Sequence, residues 1–353
     1  MFLLDSHCDT PSQILRLRDL SVDNEYAHVD FPKLRRGGVD GAFFALYTPA
    51  SLSETESYIY ASKLLEGVRR VLKFHKDKAR LATCRSEAYE NQSDGLFSIF
   101  LGLENGAAIG ESLDRLYEFY DAGVRYVTLC HSRDNQICDS CAQGSRWYGL
   151  SPFGKEMLRH MNRMGMLVDV SHISDNSFYD VLETSSRPVV ATHSCCRALC
   201  DHPRNMTDDM IRELAAAGGV IQINFYPLFL DGGFKSVLES SGIIEEGERI
   251  EAEFIADPAS STKRAAWNRV QDRLNALARP SFTRIADHID HAVSLAGIDH
   301  VGIGSDFDGI EVTPQGMEDI SMMPRLFDEL RSRGYKESDL SKIASENFFR
   351  ILG

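Results

Sequence analysis

The 353-residue chain contains no uninterrupted apolar run approaching the roughly 20 residues a bilayer-crossing helix requires. It also lacks a secretory pattern, since Met1 leads straight into Phe2-Leu3-Leu4-Asp5 with neither a basic n-region nor an apolar h-region. A cytoplasmic protein with no membrane partner is therefore expected. Positive charge is scarce: 38 Lys and Arg stand against 52 Asp and Glu, a formal net charge of −14, and no basic cluster interrupts it. Nucleic acid is excluded as a partner, because the phosphate backbone demands the opposite sign. Repeats, low-complexity tracts and linker-like stretches are absent too, so one domain over residues 1–353 is expected.

The eight cysteines lack a full zinc-binding spacing. Cys138-Asp139-Ser140-Cys141 could join Cys195, Cys196 and Cys200 in a structural zinc site or a disulfide, but free thiols of a reducing cytosol are the expectation. The acidic run Glu245-Glu246-Gly247-Glu248 reads as a solvated face.

What the chain does have is a 43% hydrophobic content, enough for a sizeable core, arranged in short β-branched-rich runs that alternate with helical patterns. Strands are predicted at residues 2–9, 39–47, 96–104, 124–131, 167–172, 189–193, 220–226 and 301–306. Their near-continuous apolar character is that of parallel strands covered by helices on both faces. Helices are predicted over 54–78, 284–296, 317–333 and 336–352. Another opens at Ser151-Pro152, and one is capped by Thr207 and stopped at Gly218-Gly219. Eight strand–helix units favour a closed (β/α)8 TIM-like barrel over an open doubly wound sheet. Residues 228–280 form an insertion between strands seven and eight, on the rim where barrel active sites lie, in a position to serve as a lid or an oligomer contact.

Polar residues gather at the ends of these strands: His7 and Asp9, Glu104, His131, His172, His193, and Asp306. Singly, each is an ordinary turn former. Six strands delivering such groups to one rim point to a site. Alternation puts His7 and Asp9 on one face and turns Cys8 the other way, into packing. The same parity groups Gly302, Gly304 and Asp306, which favours Asp306 over Asp308 as the inward carboxylate. Three imidazoles and two carboxylates suit zinc, and also manganese, iron or cobalt. They exceed what a single catalytic zinc takes, so two divalent ions are expected, with Glu104 bridging: His7, Asp9 and Glu104 on one, and Glu104, His172 and His193 on the other. A water between two such ions would ionise near neutral pH and serve as nucleophile, which removes the need for an activated Ser or Cys.

Over nearly its whole length the chain resembles the membrane (renal) dipeptidase family of zinc dipeptidases. The matching stretches are Asp5-Ser6-His7-Cys8-Asp9-Thr10, Gly102-Leu103-Glu104-Asn105-Gly106, Tyr126-Val127-Thr128-Leu129-Cys130-His131 with Asn135 and Asp139-Ser140, and Gly149-Leu150-Ser151-Pro152-Phe153-Gly154-Lys155. They continue with Gly165 to His172, His193-Ser194, Arg204-Asn205, Asn224-Phe225-Tyr226 and Gly302 to Gly309. The resemblance implies zinc at His7, Asp9, Glu104, His172 and His193. It implies His131 at the substrate carbonyl, Arg204 on the substrate's terminal carboxylate, and Asp306 moving a proton to the leaving amine. Arg204 would otherwise read as a surface turn residue. A dipeptide substrate, tolerance of a D-residue at its second position, and a homodimer are further implications.

The chain departs from the mammalian members after His131, over residues 132–138, where those carry a proline and a tryptophan. It also has no counterpart of their leader and lipid anchor, so a bacterial-type member is expected. Two rival readings are an amidohydrolase-type barrel acting on another amide or ester, which His7-Cys8-Asp9 and Glu104 disfavour against H-x-H and a carbamylated lysine, and a non-catalytic metal-binding barrel, for which Asp306, His131 and Arg204 would be superfluous.

Overall fold

The computed structural model describes residues 1–143 and 145–353. Nine strands form one parallel sheet: β1 (Leu4–Cys8), β2 (Gly41–Tyr47), β3 (Ala79–Leu81), β4 (Phe97–Glu104), β5 (Val124–Thr128), β6 (Leu167–Asp169), β7 (Val190–Ser194), β8 (Val220–Ile223) and β9 (Val301–Ile303). Eight of them run in the order β1-β2-β4-β5-β6-β7-β8-β9. The ring is drawn shut at its rim, where Asp9 N donates to Phe307 O at 2.8 Å and Asp306 N to His7 O at 3.0 Å. This is a (β/α)8 TIM-like barrel.

The ninth strand, β3, was not foreseen. It pairs beside β4 through Ala79, Arg80 and Leu81 and is too short to show any periodicity. The predicted strands were also too long. Five end early, leaving Asp9, His131, His172, Tyr226 and Asp306 in the loops beyond. Backbone curvature takes over there, with φ of +71° at His172 and +63° at Asp306.

Inside the barrel, Phe43, Phe100, Tyr126, Val190 and Val220 pack against Phe348 and Phe349 of the C-terminal helix. That helix plugs one mouth and leaves the other to the polar rim. Gly102 pairs in register with Tyr126, and a Cβ there would lie 2.1 Å from the tyrosine ring. The glycine makes room for a full aromatic ring across the barrel. A second layer of apolar contacts joins the outer strand faces to the surrounding helices.

Helix starts follow their chemistry: Ser151 Oγ accepts from Gly154 N at 2.9 Å, and Thr207 Oγ1 from Met210 N at 3.1 Å, each satisfying an otherwise orphaned donor. The predicted helix over 317–333 begins only at Met323, behind a short 3-10 turn. The insertion folds into four helices, Pro227–Leu230, Phe234–Ser241, Ile243–Ala256 and Ser261–Asn275. Its own small core of Phe234, Leu238, Ile243, Val270 and Leu274 includes Val312 from the segment after β9. Glu245, Glu246 and Glu248 are exposed on it. No described helix is long and apolar enough to cross a membrane.

Candidate metal centre

Five of the predicted residues meet around one carboxylate. Glu104 ends β4 and is 2% exposed. Its Oε2 lies 3.3 Å from His7 Nε2, while its Oε1 lies 3.1 Å from His172 Nε2 and 3.5 Å from His193 Nε2. One oxygen thus faces each side of the site. Asp9 Oδ2 is 3.6 Å from His7 Nε2, and Asp306 joins these two within ligand-atom distances of 4.8 Å. His131 Nε2 stands 3.9 Å from Glu104 Oε1. His7 and His193 both sit where strand register slips, between Asp5 and Cys8 and between Ala191 and Ser194. Such irregularities re-aim side chains, and the two rings stack at 3.7 Å.

The residues below fix how these groups present themselves. Asp169 is fully buried and accepts from Thr192 Oγ1 at 2.6 Å. Having donated there, the Thr192 hydroxyl must accept from His193 Nδ1, 2.8 Å away. His193 Nε2 is therefore left with its lone pair toward the site, because the hydrogen bond at the other ring nitrogen sets the tautomer. Tyr126 Oη lies 2.8 Å from His7 Nδ1. Asp5 accepts from Ser305 N at 2.8 Å and also binds the Ser305 hydroxyl, tying β1 to the end of β9. Sequence reasoning assigned no role to Asp5, Tyr126, Asp169 or Thr192. Only the Gly102 opposite Tyr126 was a usable signal.

The other predicted residues are placed less simply. Asp308 is engaged elsewhere, 2.6 Å from Arg18 Nη1 and 2.9 Å from Thr10 Oγ1, whereas Asp306 Oδ2 takes one bond from Asn224 Nδ2 at 2.9 Å. Asp306 is aimed by its left-handed backbone, not by strand alternation as expected, because β9 already ends at Ile303. Arg204 is buried behind His193, donating to His193 O at 2.7 Å and Ser194 Oγ at 2.9 Å, and it does not line the cavity above the site. Cys8 is buried with its thiol toward Phe43 O, and all eight cysteines are free.

The donor set is one that a cation completes. His7 Nε2, Asp9 Oδ1 and Glu104 Oε2 are buried without a hydrogen-bond partner, and such orphans carry a real cost. His172 Nε2 and His193 Nε2 face each other at 2.9 Å. Burial penalises charge on Glu104, yet His7 and the bonds from His172 and His193 outweigh it and hold its pKa well below the usual carboxylate range. Burial with Glu104 nearby pushes Asp9 well up. Burial, Arg204 and neighbouring imidazoles press His172 and His193 well down. His172 and His193 thus present neutral rings, as metal ligands must, whereas at His7 burial opposes charge but Glu104 and Asp9 outweigh it and draw the pKa well up. Nitrogen with carboxylate oxygen suits zinc and neighbouring transition ions.

The model of the membrane dipeptidase family (peptidase family M19) matches residues 1–353. The chain belongs to that family. Membership makes it a metal-dependent dipeptidase. Among curated relatives, a dipeptidase named aclJ from Aspergillus oryzae is 31% identical over 97% of this chain and 73% of its own length. An uncharacterized dipeptidase of Schizosaccharomyces pombe is 29% identical over 99% of this chain and 80% of that one. Solved structures share the fold. The probable dipeptidase PvdM of Pseudomonas aeruginosa has a TM-score of 0.84 at 24% identity, covering 100% of this chain and 95% of that one. A metallopeptidase of Rhodobacter sphaeroides, liganded with a phosphinate mimic of L-Ala-D-Ala, has a TM-score of 0.82 at 24% identity, covering 100% and 98%.

Proposed function

We propose that this dipeptidase cleaves the single peptide bond of a free dipeptide with two divalent ions, zinc by preference, held by His7, Asp9, Glu104, His172 and His193. The observation that carries this reading is the placement of Glu104, with one oxygen toward His7 and the other toward His172 and His193. When bound, the ions would supply Lewis acidity and an acidified water. The protein's own groups do the rest. Asp306 is held by Asn224, and burial with Glu104 nearby raises its pKa, which suits a carboxyl that carries a proton to the leaving amine. His131 lines the cavity, and burial lowers its pKa. Its neutral ring can donate a hydrogen bond to the carbonyl oxygen as charge develops there. Arg204, a buried guanidinium with an unpartnered Nε, is the candidate cation for the terminal carboxylate. The ligand of the Rhodobacter structure supports tolerance of a D-residue at the second position.

Elemental analysis of active protein, alongside turnover of a dipeptide panel, tests the proposal. Two equivalents of metal per chain are expected, and saturation of activity at one equivalent would overturn the dinuclear reading.

A further inference from the structure

Above the metal centre lies a cavity of about 600 Å³, within the range of small-ligand sites. Besides the groups already assigned, its walls carry three carboxylates: Glu251, Asp308 and Glu311. Two are neutralised. Asp308 pairs with Arg18 at 2.6 Å, and Glu251 with Arg16 at 2.8 Å. Glu311 has no ion-pair partner among the described residues and accepts one hydrogen bond from Tyr226 Oη, at 2.9 Å. It is exposed, and the space it faces is the substrate's. The surrounding walls, with Glu251 and Asp306 nearby, push its pKa up, as expected for an anion short of positive neighbours.

The wall around Glu311 is aromatic and apolar. Tyr226, Trp267 and Phe229 line the same cavity. A smaller annex of about 200 Å³ shares Tyr226, Trp267, Glu251 and Glu311 with it and continues past Leu238, Ile243 and Val270 of the insertion.

We infer that this dipeptidase favours dipeptides carrying a basic side chain, lysine or arginine, and that Glu311 recognises the cationic head. The inference rests on the dipeptidase reading and adds the substrate class to it. A long aliphatic stem lies against apolar and aromatic surface while its charged end stays with a polar group. An ammonium or guanidinium beside Trp267 and Tyr226 also gains from the ring faces. A neutral side chain leaves Glu311 uncompensated, and an acidic one meets Glu311 and Asp306 as like charges.

The test is kcat/KM of the metal-loaded protein on matched pairs, Ala-Lys against Ala-norleucine and Lys-Ala against norleucine-Ala, for wild type and Glu311→Gln. In wild type the lysyl member of at least one pair should lead by about fivefold, the upper end for one exposed charge pair. In Glu311→Gln that ratio should fall to near one. Wild-type ratios near one in both pairs would overturn the inference, whatever the variant does. A ratio untouched by the substitution would overturn it too. Equal losses on both members of a pair would do the same, by assigning Glu311 to the α-ammonium that every dipeptide carries. If metal-loaded wild type cleaves none of the four, the dipeptidase reading fails first and the inference with it.

Discussion

Asp169 touches no proposed metal ligand directly, yet its substitution by asparagine should weaken metal binding. Its Oδ1 accepts from the backbone N–H of Ser171 and of Thr192, both at 2.9 Å, and its Oδ2 from the hydroxyls of Thr128 at 2.5 Å and Thr192 at 2.6 Å. The backbone donors cannot turn away, so in Asp169→Asn the amide oxygen must stay on them and the NH2 must face the two hydroxyls. Thr192 Oγ1 then accepts from the amide and is free to donate to His193 Nδ1. That moves the His193 proton to Nε2, where it points at the centre. Loss of such an outer-shell partner typically costs about 10–100-fold in metal affinity. Competition with a chelator measures it, and thermal melting of the metal-free protein controls for folding. Thr192→Val should behave like Asp169→Asn, whereas Thr192→Ser, which keeps the hydroxyl, should bind metal nearly as wild type. A folded Asp169→Asn protein with unchanged affinity would refute the tautomer argument.

Two further outcomes are expected. Asp306→Asn should keep its metal while kcat on a dipeptide falls about 10²–10⁴-fold, the range for a lost acid/base group; loss of metal would make Asp306 a ligand instead. Arg204→Ala should lower kcat/KM on free dipeptides by about a hundredfold, equal to about 3 kcal/mol for one side of a buried charge pair. C-terminally amidated dipeptides should be poor substrates for wild type and lose little more in the variant. Equal losses on acid and amide would show that Arg204 serves only to brace the His193 carbonyl.

The barrel was legible because its strands are buried on both faces, and burial on both faces writes a continuous apolar run into the sequence. The chemistry was legible for a related reason. Polar groups such as His7, Glu104 and His193 are out of place at the ends of such runs, and their excess over one rim called for an explanation. β3 left no trace, since three residues, Ala79–Leu81, cannot express a period. Strand limits ran long because apolar character continues past the last ladder bond, as in Leu129-Cys130 beyond β5.

Sequence alone thus determined the order of the eight barrel strands and the kinds of donor atom, both properties of local pattern and residue chemistry. It did not determine how those atoms meet. Parity placed Asp306 inward on a strand that has already ended, and its true direction comes from a left-handed residue held by the closure of β1 against the segment after β9. The tautomer of His193 depends on Asp169, one strand away, and the room for Tyr126 beneath His7 depends on Gly102 of the neighbouring strand. Glu311 drew no notice in the sequence, and only the fold pairs Glu251 and Asp308 with arginines and leaves Glu311 on the cavity wall with no ion-pair partner among the described residues. Contacts between residues far apart in the chain have no local period, so only closing the barrel could settle which oxygen faces which nitrogen.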